Sequence, residues 1–250
     1  MNETANGLAG TTAIVTGASR GFGRAIATAL SLAGVRVVGI ARSAEQLEVV
    51  HDELGDTFTA VAADAADAAT AERLIDEYRP HTLVLCAGAT PQMSPLPEQT
   101  WESFSQNWNV DVAHAFHWIR HALRRPLAPS SSVIAMSSGA AVNGSPLSGG
   151  YAGAKATVRF IAGYAVIESD RAGLGINFVS VLPRLTPATE LGAQAVAAYA
   201  QRQGVDVDTF VQSSGPALTA EQVGRSVVEL ASGGRRGAYL LTSAGLSPLD

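Results

Sequence analysis

The stretch Thr12-Ala13-Ile14-Val15-Thr16-Gly17-Ala18-Ser19-Arg20-Gly21-Phe22-Gly23 decides the fold. Its first five residues form a short apolar run that a glycine-rich turn stops, and an alanine-rich amphipathic segment, 22–33, follows at once. That order reads as strand, tight turn and helix. Glycines in such a turn allow positive φ and let the backbone approach a pyrophosphate. The helix start adds free N–H groups and the positive end of its dipole. Gly17, Ser19, Arg20, Gly21, Phe22 and Gly23 are therefore the predicted phosphate-binding turn.

Outward from this turn the same alternation continues to the end of the chain. Strands are predicted over 12–16, 35–40, 57–62, 82–86, 132–137, 176–182 and 238–241, and helices over 22–33, 44–53, 68–78, 98–125, 150–171 and 220–231. Most of the strands are near-continuous apolar runs, as strands covered on both faces must be. The prediction is an α/β, single-domain fold over 1–250: a doubly wound parallel sheet of about seven strands with helices on both faces. Prolines at 183, 187 and 216 interrupt the alternation. The segment 184–216, with an alanine-rich piece at 192–203 and a polar loop through Asp206-Val207-Asp208, reads as a lid or substrate-binding loop.

Composition narrows the function. The 250 residues are 47% hydrophobic and 16% charged, with net charge −5, pI near 5.5 and mean hydropathy +0.16, so the chain can fill a core but lacks the basic face that nucleic acid requires. A lone cysteine, Cys86, excludes an internal disulfide framework, fits a reducing compartment and reads as a small apolar residue. No apolar run is long enough to span a membrane, and Met1-Asn2-Glu3-Thr4 has no leader character, so a cytoplasmic protein is expected. Every basic residue except Lys155 is arginine.

Lys155 falls four residues after Tyr151, which places a phenol and an ammonium on one helix face. Reduction of a carbonyl needs a proton on oxygen, and a phenol with pKa near 10 supplies it at neutral pH only when a cation lowers that value. Ser138, thirteen residues before Tyr151, ends the fifth strand, where its hydroxyl can bond the substrate oxygen; Ser137 is the adjacent alternative. Strand two ends in Arg42-Ser43 with no carboxylate to grip the ribose hydroxyls of NAD. Arg20 and Arg42 suit the extra phosphate of NADP.

These motifs together resemble the short-chain dehydrogenase/reductase family, whose first turn is Thr-Gly-x-x-x-Gly-x-Gly and whose catalytic set is a serine followed by Tyr-x-x-x-Lys. The resemblance runs from Leu8 to about Leu241. It implies an NADP(H)-dependent oxidoreductase, NAD(H) being the alternative, acting on a small carbonyl or alcohol. A cofactor-sensing protein without turnover is the reading from another class. It also implies a homo-oligomer, dimer or tetramer, through the helices on either side of the fifth strand, with Phe116 and Trp118 in an aromatic interface. Asp64 corresponds to the family's adenine contact, with a helix N-cap as its alternative. Cys86-Ala87-Gly88-Ala89 corresponds to Asn-Asn-Ala-Gly, with both asparagines lost. Asp111 falls where the family carries an asparagine that supports a water chain to the lysine. Pro183-Arg184 stands for Pro-Gly, and Thr186, with Thr189 as alternative, for the threonine that meets the nicotinamide amide. The histidines of His114-x-x-His117-x-x-x-His121 are read with that aromatic interface and not as a metal site.

Overall fold

The computed structural model describes residues 7–249; Met1-Asn2-Glu3-Thr4, read above for a leader, lies outside them. Eight strands form one sheet in the order β3-β2-β1-β4-β5-β6-β7-β8. They are β1 (Thr12–Thr16), β2 (Arg36–Ala41), β3 (Phe58–Ala62), β4 (Thr82–Leu85), β5 (Ser132–Met136), β6 (Asn177–Pro183), β7 (Gly237–Thr242) and β8 (Gly245–Leu249). The first seven run parallel, and β8 pairs antiparallel with β7. The sequence predicted the seven parallel strands and missed β8. Gly245-Leu246-Ser247-Pro248-Leu249 reads as a tail because its pairing comes from the β7 hairpin and not from its own apolar pattern, and a proline is tolerated on an edge strand.

Ten helices are described: α1 (Gly21–Leu32), α2 (Ala44–Leu54), α3 (Ala68–Tyr78), α4 (Trp101–Asn107), α5 (Ala113–Arg124), α6 (Ala140–Asn143), α7 (Gly149–Arg171), α8 (Glu190–Gln203), α9 (Val207–Ser213) and α10 (Ala220–Ser232). They cover both faces because successive strand side chains point to opposite sides. Ala13 and Val15 of β1 pack with Ile26 and Leu30 of α1 and Val227 of α10; Ile14 between them packs with Leu74 of α3, Trp118 of α5 and Val158 of α7.

Two local expectations are corrected. The helix read over 98–125 is divided: α4 and α5 flank a π-helical turn, Trp108–Val112, which holds Asp111. Such turns widen the helix by a residue and re-aim side chains, often at functional sites. The polar loop read at Asp206-Val207-Asp208 is instead the start of α9, where the Asp206 carboxylate accepts the Thr209 N–H at 2.8 Å.

Candidate active site

The glycine turn sits between the ends of β1 and β2. The N–H groups of Gly17 and Ala18 both donate to the Ile40 carbonyl, at 2.7 and 3.2 Å. A Cβ on Gly23 would collide with the Gly17 carbonyl oxygen, so only glycine lets α1 start this close to the turn. The N-cap residue of α1, Arg20, makes no side-chain capping bond, which leaves the first N–H groups of the helix available to an anion. The turn is braced across the sheet by Thr16. Its hydroxyl donates to the Val84 carbonyl and accepts the N–H groups of Cys86 and Ala87, at 2.9 and 3.1 Å. Thr16 thereby holds the end of β4 with its own oxygen, a role legible in the sequence only as the threonine that precedes the first glycine. The Cys86 thiol is pushed up to about 11 by burial, a poor nucleophile at neutral pH.

A cleft of about 1300 Å³ opens along the carboxyl ends of the strands, the place where ligands bind open α/β sheets. It brings together all of the sequence-predicted residues Gly17, Ser19, Arg20, Gly21, Phe22, Gly23, Arg42, Ser43, Asp64, Ala87, Gly88, Asp111, Ser138, Tyr151, Lys155, Pro183 and Thr186. Their surroundings differ. Arg20 ion-pairs with Glu190 at the start of α8, whereas Arg42 has no ion-pair partner among the described residues. Ser43 caps α2, accepting the Gln46 N–H at 3.2 Å. Asp64 accepts the Ala66 N–H at 2.9 Å, and the N-cap of α3 is Asp67. Thr186 is buried with its hydroxyl donated to the Leu218 carbonyl at 2.6 Å. Thr189 caps α8, and its methyl would be 3.5 Å from a Cβ placed on Gly21.

At the other end of the cleft, Ser137 and Ser138 part as their alternation requires. The Ser137 hydroxyl is buried and donates to the Lys155 carbonyl at 2.7 Å. Ser138 is half-buried on the cleft wall and accepts the Ala140 N–H at 3.2 Å. Tyr151 and Lys155 lie on one face of α7, with Nζ 5.7 Å from the phenol ring centroid. Lys155 is buried, donates to the Met136 carbonyl at 3.0 Å and lies 3.2 Å from Asp111 Oδ2. Burial opposes its charge, but the Asp111 carboxylate and the Tyr151 phenol outweigh burial and raise its pKa above the ordinary lysine value. The other Asp111 oxygen accepts the Ala89 N–H at 2.8 Å. A Cβ on Gly88 would stand 2.9 Å from Asp111 Oδ2, so the small residue after β4 is what admits the carboxylate.

His114, three residues on from Asp111, lines the cleft, where the sequence reading puts it in an aromatic subunit interface. It is 2% exposed. Burial first, and the Lys155 charge second, push it down to about 3, so the folded protein keeps it neutral. The unfolded chain takes up a proton near 6.5. The folded pKa is the lower of the two, so the contribution is complete above 6.5 and lost as pH falls below it. At pH 5.5 the cost is about 1.4 kcal/mol. His114→Gln is expected to flatten the decline of Tm between pH 6.5 and 5; an unchanged acid limb would assign that decline to other groups.

The remaining histidines and aromatics are placed separately. His121 Nε2 is 3.1 Å from Asp76 of α3. Among the described residues no three metal-ligating side chains converge. Trp118, read as part of an aromatic interface, is fully buried, its indole N–H donating to the Ala65 carbonyl at 2.8 Å. It anchors the segment carrying Asp64. Phe116 is exposed. Helix α8 touches both ends of the cleft: Glu190 pairs with Arg20 at the glycine turn, and Tyr199 shares a short hydrogen bond with Ser145 in the loop before α7.

The family model described as short chain dehydrogenase matches residues 11–200. The chain belongs to the short chain dehydrogenase family. Family members among the curated proteins include a sorbitol dehydrogenase of Cereibacter sphaeroides, 28% identical over 179 residues (69% of this chain, 70% of the relative). A serine 3-dehydrogenase of Agrobacterium fabrum is 31% identical over 180 residues, with the same shares. Among solved structures, a dehydrogenase/reductase from Sinorhizobium meliloti 1021 superimposes with a TM-score of 0.78 at 30% identity, covering 94% of each chain. This family member is thus an oxidoreductase by kinship. None of its described helices is long and apolar enough to cross a membrane.

Proposed function

We propose that this dehydrogenase reduces a small ketone or aldehyde with NADPH, or oxidises the corresponding alcohol with NADP⁺, using Tyr151 as general acid and base. The observation that carries the reading is the buried Lys155 ammonium, fixed by Asp111 and the Met136 carbonyl beside the Tyr151 ring. A cation there stabilises the charge that develops on the Tyr151 oxygen as its proton passes to the substrate. Ser138 orients the reacting oxygen and donates to it as charge develops. Asp111 acts through Lys155 and is a positioning residue. The sorbitol and serine dehydrogenase relatives, whose names denote oxidation of alcohols, support the same bond being made or broken here.

The cleft fits a dinucleotide. The uncapped start of α1, the close packing at Gly23 and the small residues Ala87 and Gly88 leave room for a pyrophosphate and the ring beyond it. When bound, the nicotinamide supplies or accepts the hydride. Gly17, Gly21 and Gly23, with the N–H groups of Ser19 and Phe22, hold the phosphates, and Asp64 meets the adenine. Thr189 takes the amide contact in preference to Thr186, whose hydroxyl proton is committed to Leu218. Arg42 and Ser43 bind the 2′-phosphate, joined by Arg20 once it leaves Glu190, an exposed pair worth little in water. Residues 184–216 then serve as a lid within a single 1–250 domain, with α8 latched at both ends. The exposed Phe160, Tyr164 and Ile167 of α7 support a self-associating face.

Nicotinamide fluorescence tests the cofactor assignment. NADPH is expected to bind at least about tenfold more tightly than NADH, or about 1.4 kcal/mol, and Arg42→Ala to remove that preference. Equal binding of the two by the unaltered protein would refute NADP(H) as the cofactor and favour NAD(H).

A further inference from the structure

Charge is distributed unevenly along the cleft. Its lining carries Arg20, Arg42, Asp64, Asp111, Lys155, Arg184 and Glu190 as charged groups. Arg20 pairs with Glu190, and Lys155 with Asp111. His114 is held neutral by burial. Arg42 and Asp64 follow β2 and β3, on one arm of the sheet. On the other arm, at the reacting end, Arg184 is the charged residue with no ion-pair partner among the described residues.

Its place is set by the backbone. Arg184 follows Pro183, the last residue of β6, and its N–H donates to the Leu241 carbonyl at 2.9 Å. The Pro183 carbonyl accepts the Gly139 N–H at 2.9 Å, and a Cβ on Gly139 would lie 3.7 Å from the Arg184 Cα. The root of the side chain is thus pinned one strand from Ser138, and the residue as a whole is exposed. Arg42 stands four strand spacings away, about 19 Å at 4.8 Å each, so the two side chains start from different arms of the sheet. A planar guanidinium is the side chain suited to a carboxylate in a bidentate pair.

We infer that Arg184 is a specificity-determining residue that binds a carboxylate on the substrate, so that the enzyme acts on oxo acids or hydroxy acids in preference to neutral ketones and alcohols. The inference rests on the oxidoreductase reading above and names its substrate class. The reaction itself is balanced as before: the carbonyl carbon gains a hydride from the nicotinamide, the oxygen gains the Tyr151 proton, and the carboxylate is unchanged.

The matched probes are 4-oxopentanoate and its methyl ester, which share a reacting ketone and differ in charge. The unaltered enzyme is expected to show the higher kcat/KM for the acid, and Arg184→Met to lower the acid-to-ester ratio at least tenfold. An ester preference in the unaltered enzyme, or a ratio unmoved by the substitution, overturns the inference and leaves the oxidoreductase reading intact. A rise in the Kd for NADPH with no change in the ratio also overturns it, since the arginine would then serve the cofactor. Calorimetry of 4-oxopentanoate with the protein and saturating NADP⁺, where no reduction can proceed, separates the two readings. Binding that Arg184→Met weakens tenfold upholds the carboxylate site even if turnover is absent, and no binding overturns it.

Discussion

Tyr151→Phe is expected to lower kcat for carbonyl reduction by roughly 10²–10⁴-fold, the range of a lost general acid, while leaving NADPH affinity close to that of the unaltered enzyme. The substitution removes one oxygen. The ring remains on α7, and the Lys155 ammonium, 5.7 Å from its centroid, keeps an aromatic neighbour. What disappears is the group whose proton reaches the substrate oxygen as the hydride arrives at carbon. Stopped-flow reduction under single-turnover conditions reads the chemical step directly. A loss confined to cofactor binding, or a rate within a few-fold of the unaltered one, would move proton transfer to another group in the cleft.

The second large effect is structural. Asp111→Ala removes the charge partner of an ammonium that is buried beside Met136 and Tyr151. Breaking a buried pair by deleting one member costs about 3–5 kcal/mol, because the remaining charge stays desolvated. For a chain of this length that is a fall in Tm of roughly 6–20 °C. Its pH dependence follows from Lys155. In the intact protein the folded pKa lies above the ordinary lysine value of 10.5. The stability it contributes is therefore complete below 10.5 and lost as pH rises through the folded value. In Asp111→Ala burial, the largest influence, is opposed mainly by the Tyr151 phenol and lowers the folded pKa, so the deficit is full near neutral pH and shrinks toward pH 10. Asp111→Asn separates charge from packing, since its carboxamide oxygen can still accept the Ala89 N–H. Equal stability of Asp111→Ala and the unaltered protein at pH 7 would show that the pair contributes nothing to the fold.

The two effects differ in how far the sequence foretold them. Tyr151 and Lys155 are four residues apart on one helix, and helical geometry alone puts them on one face. Asp111 is forty-four residues from Lys155 in the chain. The family resemblance supplied its position, but nothing in the local pattern said that the carboxylate would reach the ammonium. That contact depends on the π-helical turn, Trp108–Val112, and on the absence of a side chain at Gly88. His114 departs from its expected place for the same reason. A histidine on one helix with Phe116 and Trp118 reads as interface until the packing of that helix is known. Trp118 went the same way, from expected interface to core, because the Ala65 carbonyl that receives its indole N–H comes from a loop fifty-three residues away.

Legible in the sequence were the parallel sheet, the glycine turn at the end of β1, the alignment of tyrosine with lysine and the family. All of these rest on local order: apolar runs of strand length, helical spacing and glycine at fixed offsets. Tertiary contacts were needed to settle the antiparallel β8, the pairing of Lys155 with Asp111, the ion pair of Arg20 with Glu190, the burial of Thr186 and the place of Arg184 one strand from Ser138. Apart from the edge strand, these are questions of which charge or hydroxyl meets which partner across the fold. In a desolvated interior a polar group goes to whatever partner the packing brings within reach, and that choice has no periodicity to read.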